Sequence, residues 1–223
     1  MSEKKKPSVF IATFAMLERG GWYCPQLVSF LLTAQSRSAA DGRRSVQLQI
    51  RNCRPIDAAR NFTANEFLKS GLDWLVMSDN DMAPPLGIFK MIDEADTRMD
   101  IVVPRFYSVT DDGLRLIWAP LPTENIDSGA EWIELSEAGT GVMAIRRRVF
   151  ERLGKPYFKT IFNEEDRRII KGEDWNFCEK ARAAGFRLFG NVRFSADHFR
   201  TVGLNMAVEN GVRAMIEKPA SAR

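Results

Sequence analysis

The sequence predicts an α/β fold in a single domain, with a central, mostly parallel sheet flanked by helices. Two observations carry that expectation. Short apolar runs without polar alternation, Val9–Phe14, Trp74–Met77 and Ile101–Phe106, read as strands buried on both faces. Segments of helical periodicity separate the strands, giving the order β-α-β-α-β-α-β through residue 106, the pattern of a doubly wound sheet with short connections. At 223 residues the chain holds one substantial core or at most two small ones.

The first strand, Val9–Phe14, leads into a segment where Gly20-Gly21 would suit a phosphate nest, although no dinucleotide or Walker pattern is present. Pro25 suits the first turn of a helix that carries Leu27, Phe30 and Leu31. Ser36–Arg44 is small, polar and basic, and is expected as a loop. Val46–Ile50 alternates with period two, as a strand with one wetter face does. Pro55–Ser70 reads as a helix with Asp57 in its first turn and Gly71 closing it. After the Trp74 strand, Pro84-Pro85 are expected to open a helix that faces Ile88, Phe89, Met91 and Ile92 inward.

Beyond residue 106 the alternation breaks. Arg115–Ala119 and Glu131–Leu135 read as strands on either side of a turn-rich loop, and Arg146–Leu153 as a helix stopped by Gly154. Lys155–Lys171 mixes aromatics and charges without a period and is expected as a long loop. Gly172-Glu173-Asp174 opens a helix that ends at Gly185. Arg187–Phe194 is the last strand, running into Asp197-His198, and Leu204–Lys218 is expected as a short helix before the tail.

Composition narrows the partners. No apolar run approaches the length that spans a bilayer, and Met1–Pro7 leads into no cleavage pattern, so a cytoplasmic protein is expected. Cys24, Cys53 and Cys178 are odd in number and without metal spacing, and read as ordinary thiols. The net charge of +3 is unevenly spread: residues 1–140 hold 15 Lys+Arg against 19 Asp+Glu, residues 141–223 hold 17 against 10. That bias suits an anionic partner on the second half, and equally a solvated basic surface.

The stretch Leu75–Asp81 concentrates the chemistry. A buried strand ends in two carboxylates one residue apart, Asp79 and Asp81, at the strand end where ligands bind in open α/β sheets. A surface turn accounts for Asp-Asn-Asp equally well. Glu173 and Asp174 at a helix start are explained by the macrodipole, and a single histidine, His198, is more often a surface or core residue than a ligand.

Together and in this order these features resemble the nucleotide-sugar glycosyltransferases of the GT-A fold, in the compact form found among phage-encoded and bacterial enzymes. The resemblance spans roughly Ser8–Asn205 and rests on Ile11–Thr13, Ala59-Arg60-Asn61, the Asp-x-Asp at Asp79 and Asp81, Gly139–Met143, Gly172-Glu173-Asp174-Trp175 and His198. It implies a Rossmann-like GT-A domain with a nucleotide-sugar-binding half at 8–106, an acceptor-binding half at 107–205, and a C-terminal helix and tail at 206–223. It implies transfer of a sugar from a nucleoside diphosphate sugar, UDP-sugar favoured, to an acceptor hydroxyl. Asp81, Asp79 and His198 would hold Mn²⁺ or Mg²⁺. Thr13, Arg60, Asn61, Asp79, Asn80, Gly139, Thr140 and Gly141 would bind the donor. Asp174 would be the general base of an inverting reaction, and Glu173 would bind acceptor or sugar hydroxyls.

The acceptor is left between a modified base in phage DNA, another polyanion, and a glycan. Arg146, Arg147, Arg148, Arg152, Arg167 and Arg168 are the residues expected to hold a polyanion. Three other readings compete, and one, a phosphatase with an Asp nucleophile, would place Asp-x-Asp after the first strand rather than the third. A sugar nucleotidyltransferase would use similar carboxylates but would carry a glycine-rich loop with Arg and Lys after the first strand, and Ala12–Glu18 is not one. A binding module for anionic polymers leaves Asp79, Asp81, Asp174 and His198 without a joint role.

Overall fold

The structure, a computed structural model, describes residues 6–15, 23–51, 55–110 and 113–199. Gly20-Gly21, Cys53 and the expected helix Leu204–Lys218 lie outside the described residues. The first half follows the expected alternation: β1 (Val9–Ala15), α1 (Pro25–Ala40), β2 (Ser45–Arg51), α2 (Ile56–Ser70), β3 (Trp74–Asp79), the two-residue β4 (Met82–Ala83), α3 (Ile88–Glu94) and β5 (Ile101–Arg105). The second half runs β6 (Tyr107–Thr110), β7 (Gly113–Leu116), β8 (Trp118–Pro120), β9 (Trp132–Ala138), β10 (Val142–Arg146) and α4 (Arg147–Arg152). It then continues through β11 (Ile161–Phe162), β12 (Ile169–Lys171), α5 (Glu173–Ala183), β13 (Leu188–Ser195) and β14 (Asp197–His198).

Eight strands form the central sheet in the order β2-β1-β3-β10-β5-β13-β9-β8. Six of them run one way, and only β10 and β9 run against the rest. Because side chains alternate across a strand, β1 and β3 feed two cores. Phe10, Ala12, Phe14, Leu75 and Met77 pack with Phe67 of α2, Phe150 of α4 and Phe177 of α5. Val9, Ile11, Trp74 and Val76 pack with Leu27 and Phe30 of α1 and with Ile88, Phe89 and Met91 of α3. The parallel strands are apolar throughout because both faces are covered.

Four local expectations are corrected. Ser36–Ala40 is helical, not loop: Ala34 and Ser38 continue the buried stripe of α1, and Gly42, at φ 62°, turns the chain only afterwards. Pro84-Pro85 precede α3 rather than open it. Pro85 disfavours helical backbone at Pro84, and the first turn closes between Ile88 N–H and the Pro85 carbonyl at 3.0 Å. Arg115–Ala119 is split into β7 and β8, because Ile117 N–H turns to the Phe106 carbonyl at 3.1 Å and the chain changes partner from β6 to β9. Lys155–Lys171 is not structureless but holds the β11–β12 hairpin, with exposed Phe162, Ile169 and Ile170. Cys24 and Cys178 are buried free thiols. No helix among the described residues is long and apolar enough to cross a membrane.

Candidate active site

The site forms where β3 ends. Trp74–Ser78 are buried, and Asp79 is the first residue of the strand to reach open space. Its N–H donates to the Gly141 carbonyl at 3.0 Å, which joins the acidic turn to the start of β10. Cys24 N–H donates to the Asn80 carbonyl at 3.0 Å, and Phe199 N–H to the Asp81 carbonyl at 2.8 Å. β14 pairs antiparallel with β4, with His198 opposite Met82. That pairing carries His198, more than a hundred residues away in sequence, to Asp81, with Nε2 and Oδ2 3.5 Å apart. His198 Nδ1 lies 3.2 Å from the Tyr107 carbonyl. A carbonyl can only accept, so Nδ1 carries the proton and Nε2 is the nitrogen turned to the Asp81 carboxylate.

The opposite wall comes from α2 and α5. Arg60 donates through Nη1 to Glu173 Oε1 and through Nη2 to Asp79 Oδ1 at 3.1 Å. Asp174 Oδ1 accepts from Trp175 N–H at 2.8 Å, inside the first turn of α5. Its Oδ2 accepts no hydrogen bond among the described residues and faces Gly139. The cleft between the walls has a volume of about 280 Å³. Among the described residues four carboxylates line it, Asp79, Asp81, Glu173 and Asp174, against the single guanidinium of Arg60 and the His198 ring.

Burial pushes the carboxyls of Asp79, Glu173 and Asp174 above their ordinary values, and the Arg60 charge offsets this only in part. For Asp174 burial is the leading cause. Burial works to lower Arg60, but Asp79, Glu173 and Asp174 outweigh it and hold the guanidinium above its ordinary value.

Gly139, Thr140 and Gly141 line the cleft. A Cβ on Gly139 would stand 2.5 Å from Ile117 Cγ2, so this wall tolerates no side chain there. The Thr140 hydroxyl is buried with no hydrogen-bond partner among the described residues. Asp79, expected at the metal, is paired with Arg60, and among the described residues no three His, Cys, Asp or Glu side chains converge as a metal cluster. Asn61, expected at the donor, is spent elsewhere. Its amide donates to the carbonyls of Asp57 and Phe158, and its Oδ1 accepts from Tyr157 and Phe158 N–H at 2.8 and 3.1 Å, clamping the loop after α4. Asn80 is buried in the turn, and Thr13 is buried with its hydroxyl 3.4 Å from that of Tyr23. Neither lines the cleft. Phe106, Ser108 and Ile117 do line it. Nothing in their local sequence marks them, because they arrive through the β6–β7 hairpin.

The α4 arginines point to a different place. Arg146 pairs in register with Trp74, at the far end of β3 from Asp79. Five residues at about 3.3 Å each put roughly 17 Å between the two ends. Arg146 stacks on Trp74 at 4.4 Å, Arg147 pairs with Glu151, and Arg148 pairs with Asp100. They hold the bottom of the sheet together and do not face the cleft.

No family model matches this chain, and no curated protein matches it. Its fold does match solved structures. The protein A197 from STIV superposes with a TM-score of 0.59 at 19% identity, over 87% of this chain and 86% of that one. The catalytic domain of Drosophila β1,4-galactosyltransferase 7, solved with xylobiose, gives a TM-score of 0.50 at 13% identity, over 87% of this chain and 71% of that one. GalNAc-T7, solved with UDP, GalNAc and Mn²⁺, gives 0.50 at 15% identity, over 90% of this chain but 45% of that one. The fold is GT-A-like. At these identities the likeness is one of architecture, and the chemistry has to be argued from the cleft.

Proposed function

We propose that this GT-A-like chain is a metal-assisted glycosyltransferase that moves a sugar from a nucleoside diphosphate sugar to an acceptor hydroxyl. The observation that carries the reading is the division of the cleft, with Asp81 and His198 on one wall and the open Oδ2 of Asp174 on the other. Among the described residues four carboxylates face one guanidinium in the cleft, a balance that favours an anionic donor entering with a cation. Asp81 and the Nε2 of His198 fit that role as a pair of donors, leaving further positions to diphosphate oxygens and water, as Mg²⁺ and Mn²⁺ ordinarily bind. The imidazole favours Mn²⁺. When bound, the metal would supply Lewis-acid neutralisation of the departing diphosphate.

The protein's own groups do the rest. Asp174 Oδ2 takes the proton from the acceptor hydroxyl as that oxygen bonds to the anomeric carbon and the bond to the diphosphate oxygen breaks. One displacement of this kind inverts the centre. Glu173 is engaged by Arg60 and is the poorer base. A raised Asp174 carboxyl suits proton transfer near neutrality. With Arg146, Arg147 and Arg148 at the far end of the sheet, those three arginines hold no polyanion at the cleft, and we favour a neutral glycan acceptor. Thermal shift with UDP and GDP, each with Mn²⁺, Mg²⁺ or chelator, tests the reading. A nucleotide with metal should raise the melting temperature by several degrees and the nucleotide with chelator far less. No response from any pair would remove the sugar-nucleotide reading.

A further inference from the structure

We propose that Arg60 is a positioning residue: a buried cross-brace that ties the end of β3 to the start of α5 and so fixes which of Glu173 and Asp174 is left open to the acceptor. This deepens the glycosyltransferase reading and rests on it for the role of Asp174. Among the described residues Arg60 is the only lysine or arginine lining the cleft, the position from which a cation would ordinarily grip a diphosphate. Its surroundings argue otherwise. The side chain is 4% exposed, both terminal nitrogens are engaged by Asp79 and Glu173, and the guanidinium lies 5.8 Å from the Phe14 ring centroid. To reach a diphosphate it would have to abandon two buried ion pairs.

The brace acts at the cleft side of the α5 N-terminus. Gly172, at the N-cap of α5, supplies no side-chain cap. Within the first turn Asn176 N–H donates to the Gly172 carbonyl at 3.0 Å and Asp174 Oδ1 accepts from Trp175 N–H, while Asn176 ties the turn to the Lys159 carbonyl and Glu173 ties it to Arg60 on the cleft side. Arg60 thus removes Glu173 from the reaction and, through the same turn, sets the direction of Asp174 Oδ2. Its other arm holds Asp79, whose N–H is bonded to Gly141 in the wall that Oδ2 faces. One side chain therefore sets the spacing between the acidic turn and the base.

The test is a cycle of Arg60→Met, Arg60→Lys, Glu173→Ala and the double variant Arg60→Met/Glu173→Ala, read first without any turnover. Amide exchange over residues 172–177 should quicken about tenfold or more in Arg60→Met, match that in Glu173→Ala, and rise no further in the double variant. UDP with Mn²⁺ should bind Arg60→Met within about threefold of the parent, while sugar transfer falls about 10²-fold through kcat. Arg60→Lys should recover part of both losses, and should Arg60→Met fail to fold, Arg60→Lys and Glu173→Ala carry the same comparison. Unchanged exchange at α5 together with tenfold weaker binding of UDP and Mn²⁺ would overturn the proposal and make Arg60 a diphosphate ligand. The exchange cycle decides the brace even where UDP and Mn²⁺ fail to bind the parent protein, a failure that would count against the glycosyltransferase reading alone.

Discussion

Asp174→Asn separates chemistry from architecture at this site. Asparagine has the shape of aspartate, and its Oδ1 can keep the 2.8 Å bond from Trp175 N–H, so the start of α5 should stay in place. What changes is Oδ2, which becomes an amide that donates and cannot take a proton. General-base catalysis contributes about 10²–10⁴ in rate, equivalent to about 3–5 kcal/mol of barrier. Stability should move the other way. Because burial holds the folded carboxyl above its ordinary value, its stabilising contribution is full below the ordinary carboxyl pKa and is lost as pH rises through the folded one. Above the folded pKa the ionised Asp174 is therefore a net cost that asparagine does not carry. A gain of about 1 kcal/mol is typical when such a strained functional group is removed, or about 2–4 °C in melting temperature for a chain of this size. The assay pairs single-turnover sugar transfer and donor affinity with thermal melts at pH 4 and pH 7. The variant should bind donor within a small factor, transfer slowly, and melt higher than the parent at pH 7, with the difference shrinking at pH 4. An active Asp174→Asn beside a dead Glu173→Gln would reverse the assignment of the base, and a lower melt at pH 7 would refute the burial argument.

Three further outcomes are expected. Asp81→Asn should cost about 10²–10³ in rate and chelator should abolish transfer until Mn²⁺ is restored, whereas full turnover in EDTA would remove the metal. Arg147→Gln with Arg152→Gln should leave the apparent KM for acceptor unchanged; a KM that instead weakened with salt by roughly one power per phosphate in the parent and lost that slope in the variant would reinstate a polyanion. Gly190→Ala should destabilise by about 1–3 kcal/mol in urea melts, because its Cβ would lie 2.7–2.8 Å from the Trp118 ring. An unshifted midpoint would mean that Trp118 yields freely.

The parts of the fold legible in the sequence are those set by local periodicity. β1, β3 and β5 announce themselves because strands covered on both faces leave no room for polar alternation. α2 and α5 do so through an acidic first turn and a closing glycine. Asp81, His198 and Asp174 were legible as a set only through their order along the chain, and the structure brings them to one cleft. The rest depends on contacts between distant residues. Asn61 reads like a donor ligand, yet its four hydrogen bonds go to residues 57, 157 and 158, and no local pattern separates those uses. The arginines after β10 look like an anion site by composition. The direction of β10, antiparallel to β3, is what carries them away from the cleft.

The place of β10 bears on how the protein is made. Its partners on either side, β3 and β5, belong to residues 74–105, while β10 itself is residues 142–146. On the ribosome the two earlier strands emerge with their facing edges bare. At about 5–20 residues per second they wait several seconds before the strand that joins them exists. Apolar strand edges in that state pair readily with other chains. A fragment ending at residue 106 would keep β1 between β2 and β3 but would leave β5 with neither of its sheet neighbours, and should be recovered as aggregate, not as a smaller nucleotide-binding unit.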